Sequence, residues 1–175
     1  TIEEMITGTM NFLTRNMKTS VIIDSRGQRI NRTEYPLEAL REAVANSLIH
    51  RDYSTQTENA YVSVYMYNDR IEIINHGGLY GRLRVDQLGK TQPDTRNPVL
   101  VTAMEVLGET ENRYSGIPRI QHAMQELGLP EPIFTDKRGI FTVVLKNSTY
   151  NNTSSSEIPI DTILDEKGLL NFCKI

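Results

Sequence analysis

Apolar residues recur near helical spacing from the first residues of the chain: Ile2, Met5, Ile6, Met10, Leu13 and Met17 predict a helix. The segment SVIIDSRGQRINRTEY holds two short β-type runs around Ser25-Arg26-Gly27, a hairpin signal. Pro36 stands where a first-turn proline belongs, and a helix is expected from Pro36 to about His50. In NAYVSVYMYNDRIEIINHGG, Val62, Val64 and Met66 alternate with Ser63, Tyr65 and Tyr67. Asn68-Asp69 then turns, and Ile71 and Ile73 flank Glu72, which predicts a second hairpin. Residues 76–96 lack periodicity and hold Gly77, Gly78, Gly81, Gly89 and Pro93. A loop of that length is more often functional than incidental. NPVLVTAMEVLG reads as an apolar helix ending at Gly108. GIPRIQHAMQELGLP reads as another, with Pro118 in its first turn and Gly128-Leu129-Pro130 ending it. EPIFTDKRGIFTVVLKN predicts a closing hairpin, STYNNTSSSEIP a polar linker, and IDTILDEKGLLNFCKI one amphipathic helix.

The helix over 36–50 carries a polar stripe. Glu42, Asn46 and His50 recur every fourth residue, a step that drifts by only about 40° around a helix. Leu37, Leu40, Val44 and Leu48 form a separate apolar stripe expected to face the core. The polar stripe is then either a solvated flank or the wall of a cleft.

Bulk properties narrow the function classes. The chain has 175 residues, enough for one domain and a fragment of a second. A net charge of −3 and a pI near 5.7 supply no general attraction to nucleic acid or anionic membrane. The single cysteine, Cys173, excludes an internal disulfide framework and fits a reducing, cytoplasmic compartment. No apolar run approaches the roughly 18 residues of a membrane span. The first residues include acids and lack the long apolar core of a signal peptide; they also lack Met, as expected of a piece of a longer protein. His50, His76 and His122 with one cysteine give no zinc spacing, and no G-x-x-x-x-G-K-[ST] loop occurs.

The order of motifs is specific. Glu-x-x-x-Asn lies on a helix, a strand ends in Asn75-His76-Gly77-Gly78, a long loop follows, and Ser115-Gly116-Ile117 opens a further helix before a last hairpin. This order resembles the ATP-binding domain of the GHKL superfamily. The closer similarity is to the GHKL-like domain of bacterial proteins labelled transcriptional regulators or RecG-related ATP-dependent helicases. It is carried by EYPLEALREAVANSLIHRDYS, DRIEIINHGGL, RNPVL and SGIPRI…GLPEPIF…GIFTVVL, and covers about residues 1–147.

The resemblance implies a two-layer α/β sandwich: a mixed sheet with helices on one face and a nucleotide-sized cleft beneath the lid loop 79–96. Residues 148–159 would be a linker, and 160–175 the first helix of a winged-helix domain. A Schlafen-type AlbA-like domain would precede the chain. The implied cofactors are ATP and Mg²⁺. Asn46 would supply an amide oxygen to the metal, and Glu42 would act as the base that polarises water. His50 would reach phosphate or complement the helix C-terminus. Asn75 would accept from the adenine amino group, with Gly77 and Gly78 letting backbone approach the base, although Leu79 replaces a second family glycine. Ser115 and Gly116 would open a phosphate-binding helix start, with charge from Arg119 and Arg113, although Tyr114 stands where a first glycine is expected. Asn97 and Pro98 are assigned a helix-start role, as N-cap and N1. Three functions stay open: a slow Mg-dependent ATPase, a nucleotide sensor that barely hydrolyses, and a degenerate domain that dimerises or positions a DNA-binding module. DNA would be a partner only through modules outside this domain, no membrane partner is expected, and a homo-oligomer stays open. Helicase motor motifs are absent, so that activity is not carried over.

Overall fold

The computed structural model describes residues 1–23, 26–91, 94–107 and 115–149. The expected winged-helix start, nearly all of the expected linker, and Gly108, Arg113 and Tyr114 lie outside the described residues.

Helix α1 spans Ile2–Asn16. Thr1 and Glu4 close a capping box at its start, and Ile6 and Leu13 are fully buried on its inner face. Strands β1 (Thr19–Ile23) and β2 (Arg29–Thr33) pair antiparallel as a ribbon of their own. The ribbon stands off the main sheet, so Val21, Ile22, Ile23 and Ile30 remain exposed.

Helix α2 spans Leu37–Ile49. Pro36 takes the N-cap, one position before the expected N1, with φ −69° already suited to the entry. Leu40, Val44 and Leu48 enter the core as expected, but Leu37 at the helix start is 42% exposed. The burial of α2 is otherwise wider than an apolar stripe requires. Ala39, Ala43, Ala45 and Ser47 are buried too, because α1, α4 and the sheet all pack on this helix and small side chains let them approach.

The main sheet runs in the order β3 (Ser63–Met66), β4 (Arg70–His76), β6 (Ile140–Lys146), β5 (Ile133–Lys137). Every described ladder in it is antiparallel, where a mixed sheet was expected. The reason is the strand beside β4. The long connection after β4 ends on the outer strand β5, and the tight Arg138-Gly139 turn then folds β6 back against β4. Alternation sorts the two faces. Met66, Ile71 and Leu145 align on the core face, as do Val64, Ile73 and Val143, and Asn75 stands opposite Phe141. Helix α3 (Pro98–Val106) and helix α4 (Gly116–Glu126) occupy the connection between β4 and β5. Only Met104 of α3 is buried, while Ile120, Ala123 and Met124 of α4 join the core. Gly128 ends α4 with φ +69°. The two-layer α/β sandwich thus has its core between this sheet and α1, α2 and α4. Among the described residues no helix is long and apolar enough to cross a membrane.

This packing predicts an asymmetry along α2. Leu40→Ala lowers the unfolding free energy in urea by about 2–5 kcal/mol, and Leu37→Ala by about 0.5 kcal/mol or less. Equal losses would contradict the burial difference.

Candidate functional site

The polar stripe of α2 meets the start of α4. Glu42 is only 8% exposed. Its Oε1 accepts from Asn46 Nδ2 at 3.1 Å, and its Oε2 accepts from Arg119 Nη1 at 3.2 Å. Arg119 also lies 3.4 Å from the Glu38 carboxylate through Nε and donates to Ser115 Oγ at 3.3 Å. The two helices can meet here because residue 116 is glycine. A Cβ at Gly116 would stand 2.5 Å from Glu42 Oε1 and 2.8 Å from Asn46 Nδ2. Burial pushes the Glu42 carboxyl above its ordinary value; the Arg119 charge and the Asn46 hydrogen bond pull the other way. With Nδ2 turned to Glu42, the amide oxygen of Asn46 carries no hydrogen bond among the described residues.

One turn further on, His50 caps α2 and lines the cleft. Burial lowers its pKa below the ordinary 6.5, and the Arg96 charge lowers it further, so its ring is neutral at neutral pH. Arg51 turns away. It donates to the Thr57 carbonyl at 3.2 Å and lies over the rings of Tyr53 and Tyr61, so it holds a loop and does not reach the cleft. Asp52 and Tyr53 close the turn: Asp52 accepts from Ser54 N–H at 2.9 Å, and Tyr53 donates to the Leu48 carbonyl at 2.8 Å.

The opposite wall is the end of β4. Asn75 is 4% exposed, and its Oδ1 has no hydrogen-bond partner among the described residues. Buried amides are nearly always satisfied, so an orphan oxygen at a cleft wall marks a position for a ligand. Gly77 and Gly78 follow with φ +113° and +60°. A side chain at Gly77 would collide with the Arg96 guanidinium, and one at Gly78 would meet Asp136 Oδ1 at 2.9 Å. Two other groups hold this turn in place. Arg96 Nη2 donates to the Gly77 carbonyl at 2.7 Å, and Asp136 Oδ2 accepts from Leu79 N–H at 2.9 Å.

Asn97 occupies the N-cap position of α3 and Pro98 its N1, as expected, but the Asn97 side chain does not cap α3. Its Nδ2 donates instead to the carbonyls of Ile49 and Arg51, at 2.8 Å each, which ties α3 to the end of α2. The two carbonyls left open by the end of α2 make a stronger demand than the helix start.

Between these walls lies a cleft of about 130 Å³, far more than the roughly 10–15 Å³ that one water needs. Its inner surface is apolar, with Ile73, Ile120, Phe141 and Val143 beneath Leu79 and Leu88 of the long loop. Of the residues singled out in the sequence, Asn46, His50, Asn75, Gly78 and Gly116 line it. Glu42 stands behind Gly116 and Asn46, Gly77 lies next to the wall, and Ser115 and Arg119 sit outside the cleft. Ser47, Tyr80, Asp94 and Arg96 line it without having been singled out as ligand-facing. For Arg96 a signal existed in RNPVL, but nothing local to that motif points at a cleft.

Residues 59–145 match the family described as "Putative ATP-dependent DNA helicase recG C-terminal". Over these residues the chain belongs to this RecG-related, ATPase-like family, a nucleotide-binding kind of module. The matched span holds Asn75, Gly77, Gly78, Ser115, Gly116 and Arg119, and begins after Glu42, Asn46 and His50. Among solved structures, the chain is similar to the DIP2311 protein from Corynebacterium diphtheriae, with a TM-score of 0.73 and 21% identity. That likeness covers 82% of this chain but only 29% of that one, and it supports the fold alone. No curated protein matches the sequence.

Two titrations test the electrostatics. Arg119→Met removes the charge that offsets burial, so the Glu42 carboxyl titrates at higher pH than in the unmodified protein, as read from its carboxyl ¹³C shift. An unchanged midpoint would remove Arg119 from the site. For His50 the sign runs the other way: folding favours the neutral ring, so its stabilising contribution is present above pH 6.5 and is lost as the pH falls through the lowered value. His50→Gln therefore loses less stability on acidification below pH 6.5 than the unmodified protein, measured by urea midpoints.

Proposed function

We propose that the cleft binds ATP with Mg²⁺ and that the chain is the nucleotide-binding module of a cytoplasmic bacterial transcriptional regulator. The observation that carries this reading is the buried, unpartnered Oδ1 of Asn75 at the wall of an apolar cleft whose other end is Asn46 and the start of α4. An aromatic base suits the apolar end, and the amide supplies its polar contact. The open N–H groups at the start of α4 suit phosphate. Asn46 fits Mg²⁺, a hard cation that usually takes only one or two oxygen ligands from protein and the rest from phosphate and water. When bound, the metal neutralises phosphate charge and orients the terminal group. His50, being neutral, contacts phosphate as a hydrogen-bond donor. Glu42 takes a proton from the attacking water at a carboxylate oxygen.

A second reading, binding with little turnover, has its own observation. Glu42 Oε2 accepts from Arg119 and Oε1 from Asn46, and the Arg119 charge stabilises the carboxylate, which makes it a weaker base. DNA enters only through modules outside this domain, since the acidic chain supplies no general attraction to it.

Two variants separate the roles. Asn46→Ala weakens Mg-ATP binding in calorimetry. Glu42→Ala keeps binding nearly intact and removes turnover by about 10²–10⁴-fold where turnover is present. Turnover that is equal in the unmodified protein and Glu42→Ala excludes Glu42 as the base. No heat at millimolar Mg-ATP rejects the nucleotide reading and leaves a scaffold that dimerises or positions other modules.

A further inference from the structure

We propose that the apolar end of the cleft reads a purine through the Asn75 amide and therefore admits 6-oxopurine nucleotides as well as adenine nucleotides. The inference rests on the nucleotide reading above and names the substrate class of that site.

The apolar end offers few polar groups. Asn75 projects from the core face of β4, next to Ile73 in its own strand and opposite Phe141 of β6. Ser47 and Asp136 are engaged elsewhere, while Thr91 and Arg96, whose Nη1 has no hydrogen-bond partner among the described residues, also line the cleft. Ser47 donates its hydroxyl proton to the Val44 carbonyl at 2.7 Å. Asp136, opposite Phe141 on the other side, accepts from Leu79 N–H and does not line the cleft. The surrounding Ile73, Ile120, Phe141 and Val143 contact a ring by area only and cannot distinguish a carbonyl from an amino group.

An amide carries one acceptor and one donor. Neither atom of the Asn75 amide is held by a hydrogen bond to a described residue, and its last torsion is of the broad, two-fold kind. Turning it by half a revolution exchanges acceptor for donor at little cost. Adenine presents the N6 amino group as donor beside N1 as acceptor. A 6-oxopurine presents O6 as acceptor beside N1–H as donor. Each edge matches one of the two amide orientations with two hydrogen bonds. A carboxylate in the same place would only accept, so it would meet N1 of adenine or O6 of a 6-oxopurine lone pair to lone pair. A pyrimidine is too small to cover the apolar end.

The probes are ATP, inosine triphosphate and CTP, each with Mg²⁺, titrated calorimetrically into the 175-residue chain and its Asn75→Asp variant. Inosine triphosphate differs from ATP at the 6-position and its N1 proton, so it isolates the feature in question. The unmodified protein is expected to bind ATP and inosine triphosphate within about fivefold of each other, and CTP at least about tenfold more weakly. Asn75→Asp is expected to weaken both ATP and inosine triphosphate by about five- to a hundredfold, the scale of one buried unpaired polar group, and unchanged affinity for either overturns the two-bond pose. A preference of the unmodified protein for ATP above about tenfold overturns the inference while leaving the nucleotide reading intact. CTP binding as tightly as ATP also overturns it. If Asn75→Asp does not fold, the ratio for the unmodified protein decides. If none of the three binds, the nucleotide reading fails and the inference fails with it.

Discussion

A carboxylate held among packed helices organises this domain. Glu42 lies on a helix enclosed by α1, α4 and the sheet, where an uncompensated charge would be too costly to keep. Its two oxygens are therefore satisfied, one by Asn46 from the same helix and one by Arg119 from α4. That arrangement sets the distance between the helices, and Gly116 is the residue that permits it. The apolar face of α4, with Ile120 and Met124, is then brought onto the core by the same approach. The polar contact and the hydrophobic packing depend on each other, since moving α4 outward to relieve one would expose the other.

The remaining wall is assembled by hydrogen bonds that cross long stretches of chain. Arg96 reaches the turn after β4, Asn97 reaches the end of α2, and Asp136 reaches Leu79 at the start of the long loop. Each bond satisfies a backbone group that no regular element uses, at a helix end or in a glycine turn. Together they hold the start of the long loop beside the cleft, which Leu79 and Leu88 help to line. The cleft is thus built by residues whose individual duties are structural. Two atoms at the cleft stand apart: among the described residues, Asn75 Oδ1 and Arg96 Nη1 have no hydrogen-bond partner.

This division bears on chemistry. The groups suited to hold a ligand, Asn46 Oδ1 and Asn75, are uncommitted, while the group suited to move a proton is engaged by an arginine. Burial raises the Glu42 carboxyl above its ordinary value and the Arg119 charge opposes that rise, so the carboxyl would hold a proton more readily once Arg119 moved away.

Much of the fold follows from local pattern. The spacing of Ile6 and Leu13, the alternation of Val64, Ile71 and Ile73, and the Gly128 stop each rest on neighbours in the chain, and each element forms where its pattern predicts. The polar stripe of α2 was legible for the same reason, because helical geometry alone puts residues 42, 46 and 50 on one side. What that side faces was not legible. Pairing order lies beyond local pattern as well: an alternating strand reads alike whether β5 or β6 lies beside β4, so the antiparallel sheet is decided only when the hairpin docks. Asn97 looked like a cap because capping is local, and its actual partners, Ile49 and Arg51, lie more than forty residues away. Arg119 was expected to lend charge at the start of α4, and only the packing of α4 against α2 placed it on Glu42. The sequence by itself determined the elements, the polar stripe and the glycine turn after β4, because those depend on side chains a few residues apart. Only the tertiary structure decided the partners of Glu42, the commitment of Arg96 and Asn97 and the unpaired state of Asn75, because burial and long-range hydrogen bonds exist only once distant segments share one interior.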